Sequence, residues 1–156
     1  MRRFSSPVAT TPVTDLLAYA GLFLSALAAA TVLPMQSEAA LVALLLADYS
    51  PWLLLLVASA GNILGSTINW VLGRAIDRYG SHRWFPASGP ALDRAARWYR
   101  RYGRWSLLLS WVPVIGDPIT VIAGVLRERL PVFLALVAAA KIGRYLVVIA
   151  VTLRFA

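Results

Sequence analysis

The chain contains no cysteine and a single histidine, and only 14% of its residues are charged. The lack of cysteine excludes a disulfide framework and a thiolate metal site. Histidine chemistry is disfavoured as well, because His82 stands in a polar loop with neither an HExxH spacing nor the partners of a catalytic triad. No glycine-rich phosphate loop of the Walker type is present. We therefore expect no metal, no cofactor and no enzymatic activity.

Hydrophobic side chains are abundant instead, at 60% of the chain, and the mean hydropathy is +0.71. These values lie far outside the range of soluble domains. The apolar residues form four blocks, at 16–47, 52–72, 105–126 and 132–153. The blocks are too long and too uniform for barrel strands, and helices satisfy their own backbone groups in hydrocarbon. The sequence predicts an all-α integral membrane protein with one membrane domain over residues 1–156.

Two of the four blocks are interrupted by polar and turn-forming residues. The first contains LPMQSE and the third contains VPVIGDP. Such a block is either a kinked spanning helix or a re-entrant hairpin, and the sequence leaves both open. Arginine-rich segments flank the third block on both sides, so the positive-inside rule puts both of its ends in the cytoplasm and favours the hairpin. We predict hairpin tips at Pro34, Pro113 and Gly116.

The two halves of the chain match one another. Pro34 aligns with Pro113, and Glu38 aligns with Asp117, at a common spacing of 79 residues. Paired interrupted segments in matching positions are typical of transporters built from inverted repeats. We predict two inverted repeats, at about 16–73 and 105–153, each a re-entrant hairpin followed by a transmembrane helix. Two unrelated proline kinks are the alternative.

Four ionisable residues lie inside the apolar blocks. Glu38 and Asp117 follow the two interruptions, while Lys141 and Arg144 share one face of the fourth block. A carboxylate at membrane depth costs roughly 2.5–3.5 kcal/mol on insertion scales, so each acid needs a partner, and the two cations are candidates. In the aligned halves, the cations stand opposite Gly61 and Gly65. The four are either a proton-titrating acid pair beside an anion clamp or static ion pairs that hold the bundle together.

Uncharged polar residues near these positions are candidates for lining a cavity. They are Gln36, Ser37, Asn62 and Asn69. The glycines of the segment GNILGSTINWVLG are expected to permit close helix packing, since small residues at a spacing of four allow backbones to approach.

An arginine-rich segment at 74–104 separates the two halves. Its later part, ALDRAARWYRRYGRW, predicts an amphipathic interfacial helix from Ala91 to Trp105. Its arginines either recruit anionic lipid or only fix the topology. The basic residues lie between membrane blocks, so the isoelectric point of 10.8 does not indicate nucleic-acid binding.

Several motifs together resemble the YqaA-like branch of the DedA family, also called SNARE-associated or VTT-domain proteins. The resemblance rests on LPMQSEAALVALLLADYSPW, SAGNILGSTINWVLGR, LLLSWVPVIGDPITVIAGVLR and AAAKIGRY, over roughly residues 20–150. It implies facing re-entrant hairpins in a bacterial cytoplasmic membrane and the transport of lipids such as undecaprenyl phosphate or phospholipids. It also implies proton dependence and a functional acid at Glu38.

The chain departs from that family pattern in the second motif. DedA proteins commonly carry arginines in a motif resembling RxxPxxR, whereas this chain has SWVPVIGD, with Ser110 and Asp117 at or near those positions. We hypothesise that Lys141 and Arg144 take over the anion-binding role. The predicted partners are therefore membrane lipids and protons, with a homo-oligomer left open. A non-transporting scaffold is the alternative function.

Overall fold

The computed structural model describes residues 12–29, 36–79, 90–112 and 115–155, and within these ranges the chain is all-helical. The elements, in chain order, are α1 (Pro12–Ala29), α2 (Gln36–Leu46), α3 (Pro51–Tyr79), α4 (Pro90–Tyr102), a 3₁₀-helix (Gly103–Trp111), α5 (Gly116–Val125) and α6 (Leu130–Phe155). Each half thus contains a pair of shorter helical elements followed by one long helix.

Three helices are long and apolar enough to cross a membrane, namely α1, α3 and α6. The sequence predicted two full crossings, and α1 adds a third candidate because its 18 residues extend over about 27 Å. In contrast, α2 and α5 have 11 and 10 residues. Helices of this length extend over about 15 Å, roughly half of a hydrocarbon core. Re-entrance of the two broken blocks stays a prediction.

The turns that follow α2 and α5 have the same hydrogen bonds. The N–H groups of Asp48 and Arg127 donate to carbonyls three residues earlier, and those of Tyr49 and Glu128 donate to carbonyls five residues earlier. This Schellman pattern requires a left-handed residue after the helix. Asp48 and Arg127 meet that requirement with φ of 62° and 56°. The two turns lie at the same spacing as the matched prolines and acids.

These turns also correct the alignment of the long helices. The first backbone hydrogen bond of α3 and that of α6 keep the spacing of 79 residues. Lys141 therefore matches Asn62, and not Gly61 as the sequence alignment has it. Arg144 matches Gly65, as expected. The orientation of the two halves relative to the membrane is not fixed by these bonds and stays a prediction.

Two apolar clusters form the core. One joins α1, α2, the start of α3 and the end of α6. The other joins the end of α3, α4, the 3₁₀-helix, α5 and the start of α6, and it includes the rings of Trp70 and Phe133 at 5.9 Å. Because each end of α3 packs with the opposite end of α6, the two long helices are antiparallel.

Glycines allow α3 to approach its neighbours closely. A Cβ atom on Gly73 would collide with the backbone carbonyl of Val121, and one on Gly124 would collide with that of Trp70. Gly61 packs in the same way on the backbone of α1. The packing role expected for the glycines of α3 is thus confirmed at two positions, and α5 contributes a third glycine that the sequence analysis did not single out.

The region between the halves differs from expectation in its helix boundaries. The amphipathic helix α4 ends at Tyr102 and does not reach Trp105, because Gly103 adopts a left-handed φ of 59°. The chain then continues as a 3₁₀-helix of nine residues, which extends over about 18 Å at the wider rise of that helix. Before the loop, α3 continues to Tyr79, past Gly73, where the apolar block ends.

Candidate functional site

A layer of polar side chains lies between the two apolar clusters. Asn62 and Lys141 each stand 11 residues into their long helices. That distance is about 17 Å, close to the middle of a hydrocarbon core. We define the polar layer by these residues: Ser37 and Glu38 of α2, Asn62 and Ser66 of α3, Asp117 of α5, and Lys141, Arg144 and Tyr145 of α6.

The short helices deliver both acids to this depth. Glu38 lies in the first turn of α2, and Asp117 lies in the first turn of α5. Each short helix ends at the turn into the following long helix, so its first turn is displaced from that end by about 15 Å. A helix N-terminus carries partial positive charge and stabilises a carboxylate. The same local geometry therefore accounts for the position and the charge of both acids.

Each acid contacts one of the two cations of α6. Arg144 Nε donates to Glu38 Oε1 at 2.5 Å. Lys141 Nζ donates to Asp117 Oδ1 at 3.2 Å. The Lys141 pair lies within the second half of the chain, whereas the Arg144 pair joins the second half to the first. The cations thus hold α2 and α5 against the same face of α6.

The two partners of each pair differ in exposure. The side chains of Lys141 and Arg144 are 2% and 9% exposed, whereas those of Asp117 and Glu38 are 23% and 25% exposed. The carboxylates therefore form the accessible edge of each pair, and the cations lie behind them. A proton reaching the layer meets an acid first, and an anion reaches a cation only when the carboxylate moves away or becomes neutral.

A buried tyrosine links the first half of the layer to α6. Asn62 Nδ2 donates to Tyr145 Oη at 2.8 Å, and Tyr145 Oη donates to Ser37 Oγ at 3.1 Å. Tyr145 is fully buried, and Ser37 is adjacent to Glu38. The sequence analysis missed Tyr145, although its position next to Arg144 in the KIGRY motif was a usable signal. The network fixes α2, α3 and α6 around the Arg144–Glu38 pair.

Several buried polar atoms have no hydrogen-bond partner within the described part of the chain. They are Ser59 Oγ, Asn62 Oδ1, Ser66 Oγ and Trp70 Nε1 on α3, and Ser110 Oγ at the end of the 3₁₀-helix. Burying such an atom without a partner costs about 1–3 kcal/mol. Most of them form one stripe on α3, at the depth of the polar layer and beside it. This stripe has the chemistry of a surface that water or a polar group contacts.

The other predicted site residues are placed as follows. Ser37 and Asn62 belong to the polar layer. Asn69 is buried on α3, about 10 Å further along the helix than Asn62. Gly116 is buried where α5 begins, packed so closely on the backbone of Ser110 that a Cβ atom would collide with it.

Three predicted positions are not described in full. Pro34 and Pro113 lie outside the described residues. The backbone of Gln36 begins α2, but its side chain lies outside the description. The hairpin tips themselves therefore remain predictions, although the helices on either side of each tip are defined.

The fold and the polar layer define a helical integral membrane protein with ionisable residues at mid-depth. A family model of the VTT domain matches residues 33–153, which include the whole polar layer. The chain therefore belongs to the VTT-domain membrane proteins of the DedA family.

Individual relatives agree with this assignment. The chain is 38% identical over 143 residues to the inner membrane protein YqaA of Escherichia coli (strain K12), covering 91% of this chain and 96% of that protein. It is 42% identical over 117 residues to an uncharacterized protein of Haemophilus influenzae, covering 68% and 69% of the two chains. No solved structure matches the chain. With its three spanning-length helices, the chain is an integral inner membrane protein.

Proposed function

We propose that this protein moves an anionic lipid across the inner membrane and that Glu38 and Asp117 exchange protons as it does so. The observation that supports the proposal is the arrangement of the ion pairs, with two buried cations behind two partly exposed carboxylates at mid-depth. Intramembrane ionisable groups generally mark a pathway for ions or substrates. A phosphate-bearing lipid, such as undecaprenyl phosphate or a phospholipid, matches the charge of the cations.

The pairs suggest how a proton and an anion are coupled. When Glu38 takes up a proton, it becomes neutral and no longer neutralises Arg144. The guanidinium is then free to bind a phosphate with two parallel hydrogen bonds. When Glu38 loses its proton, it competes for Arg144 again and displaces the phosphate. One proton thus enters as the lipid binds and leaves as the lipid departs, and Asp117 and Lys141 repeat the exchange on the other short helix.

The proposal extends the predicted re-entrant hairpins to a role in access. Polar headgroups cannot cross hydrocarbon unaided, and non-helical tips are tolerated at depth only where protein or water surrounds them. Two half-length helices that enter from opposite faces would bring such tips to the layer from both sides. The stripe of polar atoms on α3, from Ser59 to Ser66, lies along this level and would contact the headgroup or its water.

The competing function is a scaffold whose buried charges are structural. It is favoured by one observation, because the two ion pairs and the Tyr145 network together tie α2, α3, α5 and α6 into one bundle. On this reading no substrate displaces the carboxylates.

A reconstitution experiment separates the two functions. The purified protein is placed in liposomes that contain a fluorescent phospholipid or a fluorescent polyprenyl phosphate, and translocation is measured with and without a pH gradient. Glu38→Gln and Arg144→Ala are the test variants. Asp48→Asn and Arg154→Ala are matched controls, since each removes the same charge from an exposed position outside the layer.

The transport proposal expects movement of at least one lipid by the wild type and both controls, and loss of movement in both test variants while they remain folded. The absence of movement of either lipid by folded wild-type protein would refute it. Retention of movement in Glu38→Gln would refute the role of that acid.

A further inference from the structure

The exposed side of α4 contains an open cleft outside the polar layer. Its volume is about 250 Å³, and it is lined by Arg97, Trp98, Arg101 and Tyr102. The two arginines are one helical turn apart, and so are the two aromatic residues. Two guanidinium groups therefore stand side by side, next to two rings, on one exposed surface.

The aromatic residues hold the cleft in shape. The rings of Trp98 and Tyr102 have centroids 5.3 Å apart. The guanidinium carbon of Arg101 lies 5.6 Å from the centroid of the Tyr102 ring, within the range of a cation–π contact. Within the described part of the chain, no carboxylate forms a salt bridge with Arg97 or Arg101. Their N–H donors are therefore available to an anion.

The opposite side of α4 is fixed to the bundle. Ala95 is fully buried and Tyr99 is 7% exposed, both within the apolar cluster that includes α5. Tyr99 Oη also donates to Glu128 Oε2 at 2.7 Å, in the turn before α6. Burial and this hydrogen bond raise the pKa of Tyr99, so the phenol remains a donor at neutral pH. The rotation of α4 is thus set, and the cleft is directed away from the protein.

We propose that this cleft binds the phosphate group of an anionic phospholipid in the leaflet next to α4. Arginine pairs bind phosphate oxygens with two parallel hydrogen bonds. The nearby exposed aromatic residues, Trp98, Tyr102 and Trp105, are of the kind that lies at the level of lipid headgroups. The helix connects membrane-spanning parts of the chain, so lipid phosphates are the anions at its level. The site is separate from the polar layer and does not depend on the proposed transport.

The test uses the full-length protein in micelles of a neutral detergent. Dihexanoyl-phosphatidylglycerol, dihexanoyl-phosphatidylcholine and inorganic phosphate are each titrated into it, and binding is measured by calorimetry. The double variant Arg97→Ala/Arg101→Ala removes both donors of the cleft. Its matched control, Arg94→Ala/Arg100→Ala, removes the same charge from exposed positions of the same helix that do not line the cleft.

We expect the wild type to bind phosphatidylglycerol saturably and to bind phosphatidylcholine and free phosphate at least about tenfold more weakly, since neither offers both the charge and the headgroup. The cleft variant should lose about tenfold or more in affinity, as the loss of two charge-assisted hydrogen bonds implies. The control variant should stay within about twofold of the wild type.

Two results would overturn the proposal. Equal weakening in both double variants would mean that diffuse attraction to the arginine-rich surface explains the binding. Equal affinity for free phosphate would mean that the ligand is not a lipid. If the alanine variant does not fold, Arg97→Lys/Arg101→Lys decides the matter, because lysine keeps the charge but cannot make the paired hydrogen bonds. Unchanged affinity in that variant would also contradict the geometry.

Discussion

Replacing Glu38 by glutamine should destabilise the protein through the cation that it leaves behind. Glu38→Gln preserves the size of the side chain but removes the charge that neutralises Arg144. The guanidinium cannot lose its proton, and it is 9% exposed. It therefore remains as a buried charge without its carboxylate.

The expected cost follows from the burial of the pair. Breaking a buried ion pair by removing one partner costs roughly 3–5 kcal/mol. A quarter of the Glu38 side chain is exposed, which reduces the loss, so we expect about 3 kcal/mol, the lower end of that range. The double variant Glu38→Gln/Arg144→Met removes the stranded charge. It should recover at least about 1.5 kcal/mol, although not all of the loss, because Arg144 also interacts with a group other than Glu38.

The measurement is equilibrium unfolding in mixed micelles of increasing SDS content, followed by circular dichroism, for the wild type, both single variants and the double variant. A double variant no more stable than Glu38→Gln would refute the reasoning, since Arg144 would then not be the source of the destabilisation. The same four proteins in the translocation assay separate stability from function. Transport predicts a double variant that is stabilised but inactive.

The second ion pair provides an internal comparison. Asp117→Asn should cost less than Glu38→Gln in the same assay, because a buried lysine can lose its proton and become neutral, whereas an arginine cannot. An equal or larger loss in Asp117→Asn would show that the exposure and chemistry of the cations do not set the cost.

Three further predictions concern the fold. Gly124→Ala should lose about 1–3 kcal/mol in SDS unfolding, because its Cβ would collide with the Trp70 carbonyl, whereas Gly143→Ala, with nothing within 4 Å, should not be destabilised. Equal losses would contradict the close approach of α3 and α5. Asp48→Val should lose roughly 1–2 kcal/mol because φ is positive there, and Asp48→Gly should lose none. Since the pKa of Tyr99 is raised in the folded state, the stability that its protonated phenol contributes is complete below pH 10.0 and declines as the pH rises further. The stability advantage of the wild type over Tyr99→Phe should therefore be constant to that pH and shrink above it, and a constant advantage at alkaline pH would contradict the buried hydrogen bond.

The sequence by itself determined the class of protein and most of the charged positions of the site. Apolar blocks of this length leave helices in a membrane as the stable solution, because backbone groups find no other partner there. Charges are so unfavourable in such blocks that Glu38, Asp117, Lys141 and Arg144 could be recognised one by one. The matched prolines and acids also predicted the repeated turns, and the hydrogen bonds after α2 and α5 agree with them.

Only the tertiary structure decided which residues meet. Lys141 and Arg144 share one face of α6, and sequence spacing does not say which acid each contacts. That choice depends on how α2 and α5 pack around the helix, and this packing is limited by close contacts such as those of Gly73 and Gly124. Tyr145 became part of the site for the same reason, since its partners are 83 and 108 residues away along the chain.

The ends of α4 and the 3₁₀-helix were likewise set by tertiary contacts. The pattern of arginines and aromatic residues continued to Trp105 without a break, so periodicity predicted one long helix. The left-handed backbone at Gly103 and the burial of Leu107 against α5 and α6 end α4 early and turn the chain back into the bundle. A local pattern records which face of a helix is apolar, but it does not record where the chain must turn so that a distant segment can be buried.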